Sequence, residues 1–478
     1  MSESRILGIT HSTCPICREL VPARVLGIDG DVWFDKLCPK HGSDLVFIRA
    51  DVEDYLRTLR VVKPASIPLN FAGDASRPCP EGCGFCERHE QHLCLPIVEV
   101  TPHCDLACPI CLVDAGAAPT NITHSLSRSS FATMLDGLLA REPQIDVLNL
   151  SGGEPLTHPD ILGLLDEALS RQAIVRVSVS THGLGLLQDR TLARELKARD
   201  VVVSLQFDGF DDDAYRTLRG RPMASEKRAV LELLGELDLT TSLTFTAARG
   251  INEAGLQEAQ DLLFSRKHIV SLMIQPLAYS GRASQLERPV RRLSIPEILD
   301  LVERTGPARR DDFSPLPCCH PACFSLAFFL AGENGEATSL GKLFDAETCL
   351  EAVTNRAIFG LDEDAHERMK ALVYDLWSGP AAHVPESQRV LRTIRQLLRQ
   401  LNERRAGCFD PRAAFSLGER AIKSVFVHAF MDADTFDLAR ARRCCNGYPQ
   451  EDGTVIPACV RNVIRNGRTT CRSSSSPP

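Results

Sequence analysis

Between Ile97 and about Arg282 the chain alternates between two hydrophobic periods. Short, mostly apolar runs fall at 97–101, 146–150, 174–180, 201–207, 240–247 and 270–276. Between them, apolar residues recur at spacings of three and four, which predicts helices over Ser129–Arg141, Pro159–Arg171, Arg190–Ala198, Ser225–Leu237 and Glu253–Phe264. Strands alternating with helices of this length predict βαβ units and a parallel sheet. Six such units make a partial α/β barrel. Right-handed crossovers then place every loop that follows a strand on one rim. Residues that do chemistry are expected there, at the C-terminal ends of the strands.

The flanks have other patterns. Arg24 to Phe34 reads as a hairpin turning at Asp29-Gly30. A charged helix from Val52 to Leu59 leads to a proline-bearing connector, Lys63 to Pro68. Beyond the barrel, Ala283 to Ser294 reads as a connector and Ile298–Arg304 as a helix. The apolar runs 325–331 and 424–431 read as ordinary core rather than the lining of a lipid tunnel. Helical periodicity is expected over Thr348 to Arg404 and again from about Arg412 to His428. The Ser/Pro-rich tail is expected to be disordered. The expected units are 1–60, 61–95, 96–282, 283–471 and the tail 472–478.

Composition changes this picture at one point. The 478 residues are 44% hydrophobic and 24% charged, ordinary for a globular protein. A net charge of −8 gives no basic footprint for nucleic acid. Met1 to Gly8 lacks the layout of a signal peptide, and runs such as Ser325–Ala331 fall far short of the ~20 residues of a membrane-spanning helix. A cytoplasmic protein is expected, with peripheral contact at the inner membrane left open. The outlying number is 19 cysteines. Disulfide frameworks belong to short secreted chains, whereas these cysteines fall in tight groups suited to metals.

Cys14, Cys17, Cys38 and His41 form two knuckles with a hairpin between them, a Cys3His set that fits zinc or mononuclear iron. Cys79, Cys83 and Cys86 follow, with Cys94 as a fourth ligand to close an iron–sulfur cluster, or a second zinc knuckle. His89 and His92 in that loop read as exposed polar residues rather than ligands. Farther on, the Asp452-Gly453 turn folds Cys459 back towards Cys444 and Cys445, and this group is expected to meet Cys318, Cys319 and Cys323. The expected ligands there are Cys319, Cys323, Cys445 and Cys459, with Cys318 and Cys444 as substitutes and zinc as the alternative metal. Cys349, Cys408 and Cys471 are left over.

The group after the first barrel strand is different. Cys104, Cys108 and Cys111 can bind three irons of a [4Fe–4S] cluster and leave the fourth open to a ligand. Gly152-Gly153-Glu154-Pro155 follows the second strand, Ser180-Thr181-His182-Gly183 the third, Gln206 and Asp208 the fourth, and Arg249 the fifth. The Cys-x3-Cys-x2-Cys spacing with Gly-Gly-Glu-Pro resembles the signature of radical S-adenosylmethionine (SAM) enzymes. The resemblance implies that Gly152, Gly153, Glu154 and Pro155 approach the amino group of SAM, that Ser180 and Gln206 bind its ribose or carboxylate, and that Asp208 orients a ribose hydroxyl or pairs with substrate; Thr181, His182, Asp208 and Arg249 read equally as cofactor contacts or as turn and cap residues that end their strands. Ile110 stands where such enzymes often carry an aromatic residue.

With its extra cysteine modules the chain resembles, over about residues 10–465, the radical SAM family that contains archaeal tetraether lipid synthase and a protein described as a dihydropterin methyltransferase. The likeness implies a partial (βα)6 radical SAM barrel, an N-terminal rubredoxin-like or zinc-ribbon module and a mostly helical C-terminal Fe–S region. It also implies SAM, the open [4Fe–4S] cluster, two auxiliary [4Fe–4S] clusters, one mononuclear zinc or iron, and a reductant such as ferredoxin or flavodoxin. Hydrogen abstraction from an unactivated carbon is expected, for C–C bond formation on a lipid chain. C-methylation of a pterin-like ring is the alternative, and a non-enzymatic electron carrier or regulator is the third reading.

Overall fold

The computed structural model describes residues 4–465 apart from 72, 75, 116–123, 318, 333–335, 343–345, 354–387, 389, 394, 397–398 and 400–410. Its N-terminal part is an antiparallel meander of β1 (Ser4–Thr13), β2 (Leu20–Ile28), β3 (Asp31–Cys38) and β4 (Gly42–Arg49). The β2–β3 hairpin turns at Asp29 and Gly30, both at positive φ (50° and 84°), the conformation a two-residue turn of this hand requires. Val25, Val32 and Phe34 of the meander pack on Val52 and Tyr55 of α1 (Val52–Thr58).

The barrel strands are β5 (Leu95–Thr101), β6 (Ile145–Gly152), β7 (Ile174–Thr181), β8 (Val202–Gln206), β9 (Thr241–Ala247) and β10 (Ile269–Pro276), each parallel to the next. Their outer layer is α2 (Arg128–Leu139), α3 (Ile161–Leu169), α4 (Leu184–Gln188), α5 (Arg190–Ala198), α6 (Asp212–Arg219), α7 (Ala224–Glu236), α8 (Gly255–Ser265) and α9 (Ile295–Thr305). Alternation along the strands separates the two faces. Leu148, Leu150, Val177, Val179, Val203, Leu205, Leu243 and Leu272 belong to the main buried core. Asn149, Ser151, Ser178, Ser180, Ser204 and Thr244 face the barrel interior.

The C-terminal region extends this sheet on both sides. β11 (Ser314–Pro315), β12 (Phe324–Ala331) and β13 (Ala337–Ser339) precede α10 (Ala346–Val353) and α11 (Pro411–Ala421). The single helix expected over 412–428 ends at Ala421, and Ile422–His428 is a strand, β14. Its Val-Phe-Val alternation fits a place in the sheet, where it runs parallel to β10 and antiparallel to β12. Lys423, 2% exposed, leaves the barrel from β14 to bond the carbonyls of Arg266 and Lys267 at 2.9 and 3.1 Å. After α12 (Leu438–Arg442), β15 (Asn446–Pro449) runs parallel to β5 at the opposite edge and pairs with β16 (Val455–Pro457). The strand order is β11-β12-β14-β10-β9-β8-β7-β6-β5-β15-β16. Most of the helical stretch expected over Thr348 to Arg404 lies outside the described residues, as does the tail. Among the described residues no helix is long and apolar enough to cross a membrane.

Candidate active site and metal centres

Cys104, Cys108 and Cys111 lie in the loop that follows β5, on the rim predicted for chemistry. Two neighbouring loops hold this one. Gly153 N donates to Thr101 O (2.8 Å) and Glu154 N to His103 O (2.7 Å). A Cβ would lie 2.4 Å from Thr101 O at Gly152 and 2.1 Å from His103 O at Gly153, so only glycine admits this approach. The two glycines therefore seat the cysteine loop on the end of β6. From the far side, after β10, Arg282 donates to Cys108 O (2.7 Å), Ala115 O (2.8 Å) and Asp114 Oδ1 (3.0 Å), and its amide to Cys111 O (2.9 Å). The first and last strands of the parallel series are joined through this loop. Ile110 is buried with Leu218, Ala248 and Ala283.

Glu154 is 2% exposed, and its oxygens are occupied. Oε1 accepts from Thr181 Oγ1 (2.7 Å) and Leu156 N (3.1 Å); Oε2 accepts from His182 N (2.9 Å) and faces His182 Nε2 (3.0 Å). His182 Nε2 also meets Asp105 Oδ1 at 2.6 Å, beside Cys104. Pro155 opens a short 3-10 turn behind Glu154. Ser180 donates to Asn149 Oδ1 (3.1 Å) inside the barrel.

Two of the expected SAM contacts are engaged by protein groups. Asp208 is 0% exposed, and its carboxylate receives Arg219 Nε (2.7 Å) and Nη2 (3.1 Å), Thr246 N (3.1 Å) and the Gln206 amide. It is the ion-pair partner of Arg219. Arg249 is exposed and ion-paired with Glu297 of α9, donating as well to Arg292 O (3.3 Å). Lys227 of α7 was hidden in a charged helical face of the sequence. It is 0% exposed and donates to His182 O and Gln206 O, each at 2.7 Å, tying the ends of β7 and β8 together.

The rim fits a cluster and SAM. Burial, with the charges of Glu154, Cys108 and Asp105, pushes the Cys104 thiol up to about 12. Burial raises Cys108 also, against the opposing pull of Arg219. Metal coordination relieves that cost by taking the thiolates. Gln206 Oε1 is buried and has no hydrogen-bond partner, an acceptor suited to a ligand hydroxyl or ammonium group.

In the N-terminal meander the ligand atoms of Cys14, Cys17, Cys38 and His41 all lie within 4.8 Å of one another. His41 Nδ1 is 3.4 Å from both Cys14 Sγ and Cys38 Sγ, the spacing of ligands around one ion. Cys79, Cys83, Cys86, Cys94, Cys319, Cys323, Cys444, Cys445 and Cys459 form further groups. Cys79 and Cys83 share a hydrogen bond, which with Arg442 holds Cys79 down at about 6, and Cys86 and Cys444 stand close enough to raise Cys83. Cys319, Cys323, Cys444, Cys445 and Cys459 line one small cavity with Arg440, whose Nε is 3.2 Å from Cys323 Sγ. Cys94 packs with Cys319 and Cys445, in a different apolar cluster from Cys83. Cys318, Cys408 and Cys471 lie outside the described residues. His89 and His92 are not exposed. His89 bonds Cys444 O at 2.9 Å and stacks on Phe85, and the His92 side chain is 12% exposed.

The barrel encloses a cavity of about 390 Å³. Leu112, next to Cys111, lines it near the cluster loop, and Cys94 and Cys445 line another part. One wall is Leu316, Phe324, Leu326, Phe328, Phe426 and Phe430. The two apolar runs thus divide by alternation, since Ala327, Phe329, Val425 and Val427 go to the core. Strands β6 to β10 carry short polar side chains that bond one another. Ser178 donates to Asn149 Oδ1 (3.0 Å), Ser204 meets Thr244 (3.2 Å) and Ser271 meets Ser242 (2.6 Å). Towards the strand N-termini the charges are paired, Arg176 with Glu419 and with Asp200 at 2.8 Å.

Comparison with known proteins agrees with this arrangement. Residues 98–263 match the model of the radical SAM superfamily, and residues 6–49 match that of the HMPTM N-terminal zinc ribbon domain. The chain is 26% identical over 483 residues to 7,8-dihydro-6-hydroxymethylpterin dimethyltransferase of Methanocaldococcus jannaschii, covering 95% of this chain and 93% of that one. It is 28% identical over 181 residues to GTP 3′,8-cyclase of Chlorobaculum tepidum, covering 38% of this chain and 52% of that one. A solved radical SAM methyltransferase from Sphaerobacter thermophilus overlaps 60% of this chain and 71% of its own at 15% identity, with a TM-score of 0.35, too loose to argue from. The rim cysteines, the parallel strands behind them and the Cys3His meander are those of a radical SAM enzyme with an N-terminal zinc ribbon domain.

Proposed function

We propose that this radical SAM enzyme takes hydrogen from an unactivated carbon of an apolar, chain-like substrate held in the barrel, for C–C bond formation on a lipid chain. Cys104, Cys108 and Cys111 would hold the [4Fe–4S] cluster, and Gln206 and its surroundings SAM. Together these groups supply a 5′-deoxyadenosyl radical when bound and reduced. The observation that carries the substrate class is the cavity. Its aromatic and aliphatic side chains suit hydrocarbon, and the hydroxyls of Ser178, Ser204 and Ser271 are each paired with a neighbouring side chain, while Gln275, Asn446 and His428 also line it. A ring with several hydrogen-bonding edges needs unpaired partners, whereas a methylene chain needs only volume and exclusion of water. The reading includes a one-electron donor of the ferredoxin or flavodoxin class, two auxiliary clusters, and peripheral membrane contact for access to lipid.

A second reading is methylation of a pterin-like ring, with a second SAM as methyl source. It is favoured by the printed activity of the Methanocaldococcus relative. The test uses anaerobically reconstituted enzyme with dithionite and SAM, and mass spectrometry of lipid and pterin extracts from cells with and without the protein. New joined or altered chains, with 5′-deoxyadenosine release dependent on lipid, are expected. Unchanged lipids beside methylated pterins would replace the first reading by the second. Cys108→Ala is expected to release no 5′-deoxyadenosine above background.

A further inference from the structure

The register of β10 and β14 sets two polar side chains abreast on the wall of the barrel cavity. Met273 pairs with Phe426 and Ile274 with Val427, so Gln275 and His428 follow in step at the ends of the two strands. Alternation turns Ile274 and Val427 into the core, whereas Met273, Gln275, Phe426 and His428 line the cavity. Both polar residues thus lie at the rim end, where Arg282 holds the cluster loop. Among the described residues, neither the Gln275 amide nor the His428 ring makes a hydrogen bond.

The His428 ring is fixed by stacking instead. Phe324 of β12 lies on it with centroids 3.8 Å apart and planes 14° apart, and Phe430 is 4.1 Å away. The residue is 6% exposed, and burial followed by the charge of Arg440 lowers it to about 3. The ring is therefore neutral, with one nitrogen to donate and one to accept, and the Gln275 amide offers the same pair of functions. Packing alone would be served by a third phenyl ring, which has no buried polar edge to satisfy. The nearby cations are spent. Arg440 donates to Ala429 O at 2.6 Å and meets Cys323 Sγ at 3.2 Å, and Arg176, farther along the cavity, is paired with Glu419 and Asp200. The two side chains are matched to an uncharged group that both donates and accepts, which describes a hydroxyl.

We propose that Gln275 and His428 form a subsite that holds an uncharged hydroxyl group of the substrate. The inference deepens the reading of the barrel as the substrate cavity and rests on it. A chain that ends in a hydroxyl supplies the group, and so does a ring that carries a hydroxymethyl group. Pinning one end of a substrate selects which carbon lies nearest the cluster loop and leaves the aromatic side chains to cover the rest.

The test is calorimetric titration of full-length protein reconstituted anaerobically with cluster and SAM. The chain probes are 1-octanol and nonane, and the ring probes are 7,8-dihydro-6-hydroxymethylpterin and its 6-methyl analogue. The variants are His428→Phe and Gln275→Leu. The readout is the ratio of affinities within a pair, which cancels a general loss of binding. In one of the two pairs this ratio is expected to favour the hydroxyl about tenfold more in wild type than in either variant, and the pair that shows it identifies the source of the hydroxyl. A crystal structure of wild type with that probe is expected to show its hydroxyl within hydrogen-bond distance of Gln275 or His428, and this decides the matter where a variant does not fold. Ratios that are the same in wild type and both variants, or a hydroxyl seated elsewhere, overturn the proposal and leave the cavity reading standing. Wild type that binds none of the four probes overturns both.

Discussion

Arg219 and Lys227 show how much of this rim rests on single buried charges. Arg219 forks onto Asp208, and both lie out of water. Removing one partner strands the other, so Arg219→Gln is expected to cost ~3–5 kcal/mol of stability. Chemical denaturation of the variant measures it. Lys227 is different, because burial lowers its ammonium to about 7. A neutral amine has two hydrogens for the two carbonyls it meets, His182 O and Gln206 O. The folded value lies below the ordinary one of 10.5, so between them the unfolded chain holds the extra proton. This residue's contribution therefore weakens the fold as pH falls from above 10.5 towards 7, and is level below that. Urea midpoints across that range should show a steeper slope in wild type than in Lys227→Met, where Lys423, lowered by burial to about 8, still contributes. The cysteines and Gly-Gly-Glu-Pro were legible because their chemistry is written in short spacings. Arg219, Lys227 and Arg282 were not, since each sits in a stretch whose charges resemble a solvated face and only the tertiary fold buries it.

Among the elements, the loop after β6 governs the loop after β5. Gly153→Ala puts a methyl group 2.1 Å from His103 O, against backbone that cannot yield. The expected cost is about 1–3 kcal/mol of strain, with less iron retained at the rim and weaker SAM binding. Iron assay and calorimetry with SAM check both. The parallel strands were readable because alternation and bounding turns repeat along each unit. The stretch 412–428 was not, because α11 passes into β14 with no turn residue between Ala421 and Ile422. Its last residues are strand because β10 and β12 offer hydrogen bonds on both sides, a partnership absent from local sequence. The same strand supplies Phe426 of the aromatic wall, so that part of the cavity was as hidden as the strand.

At the scale of the whole molecule, the barrel interior and the metal modules are tied together. Ser242→Phe fills part of the cavity that Phe426 and Phe430 also line. It is expected to weaken an apolar substrate by roughly tenfold, about 1.4 kcal/mol, while SAM affinity holds. Product yield and SAM titration separate the two. The N-terminal ribbon is docked on the segment before α12. Thr10 Oγ1 donates to Asp437 Oδ1 (2.6 Å), Thr13 Oγ1 to Ala433 O (2.8 Å) and Lys36 Nζ to Asp434 O (3.0 Å). Stripping metal from the ribbon should therefore lower the melting temperature of the entire chain and loosen the segment around Cys444 and Cys445, read as faster alkylation of those thiols. The pairing of β15 with the start of β5 has a consequence in time. A ribosome makes the segment around Cys94 long before the segment around Cys445. This edge of the sheet therefore closes only after the whole barrel between them has been made, and β5 must fold against β6 before its other neighbour exists.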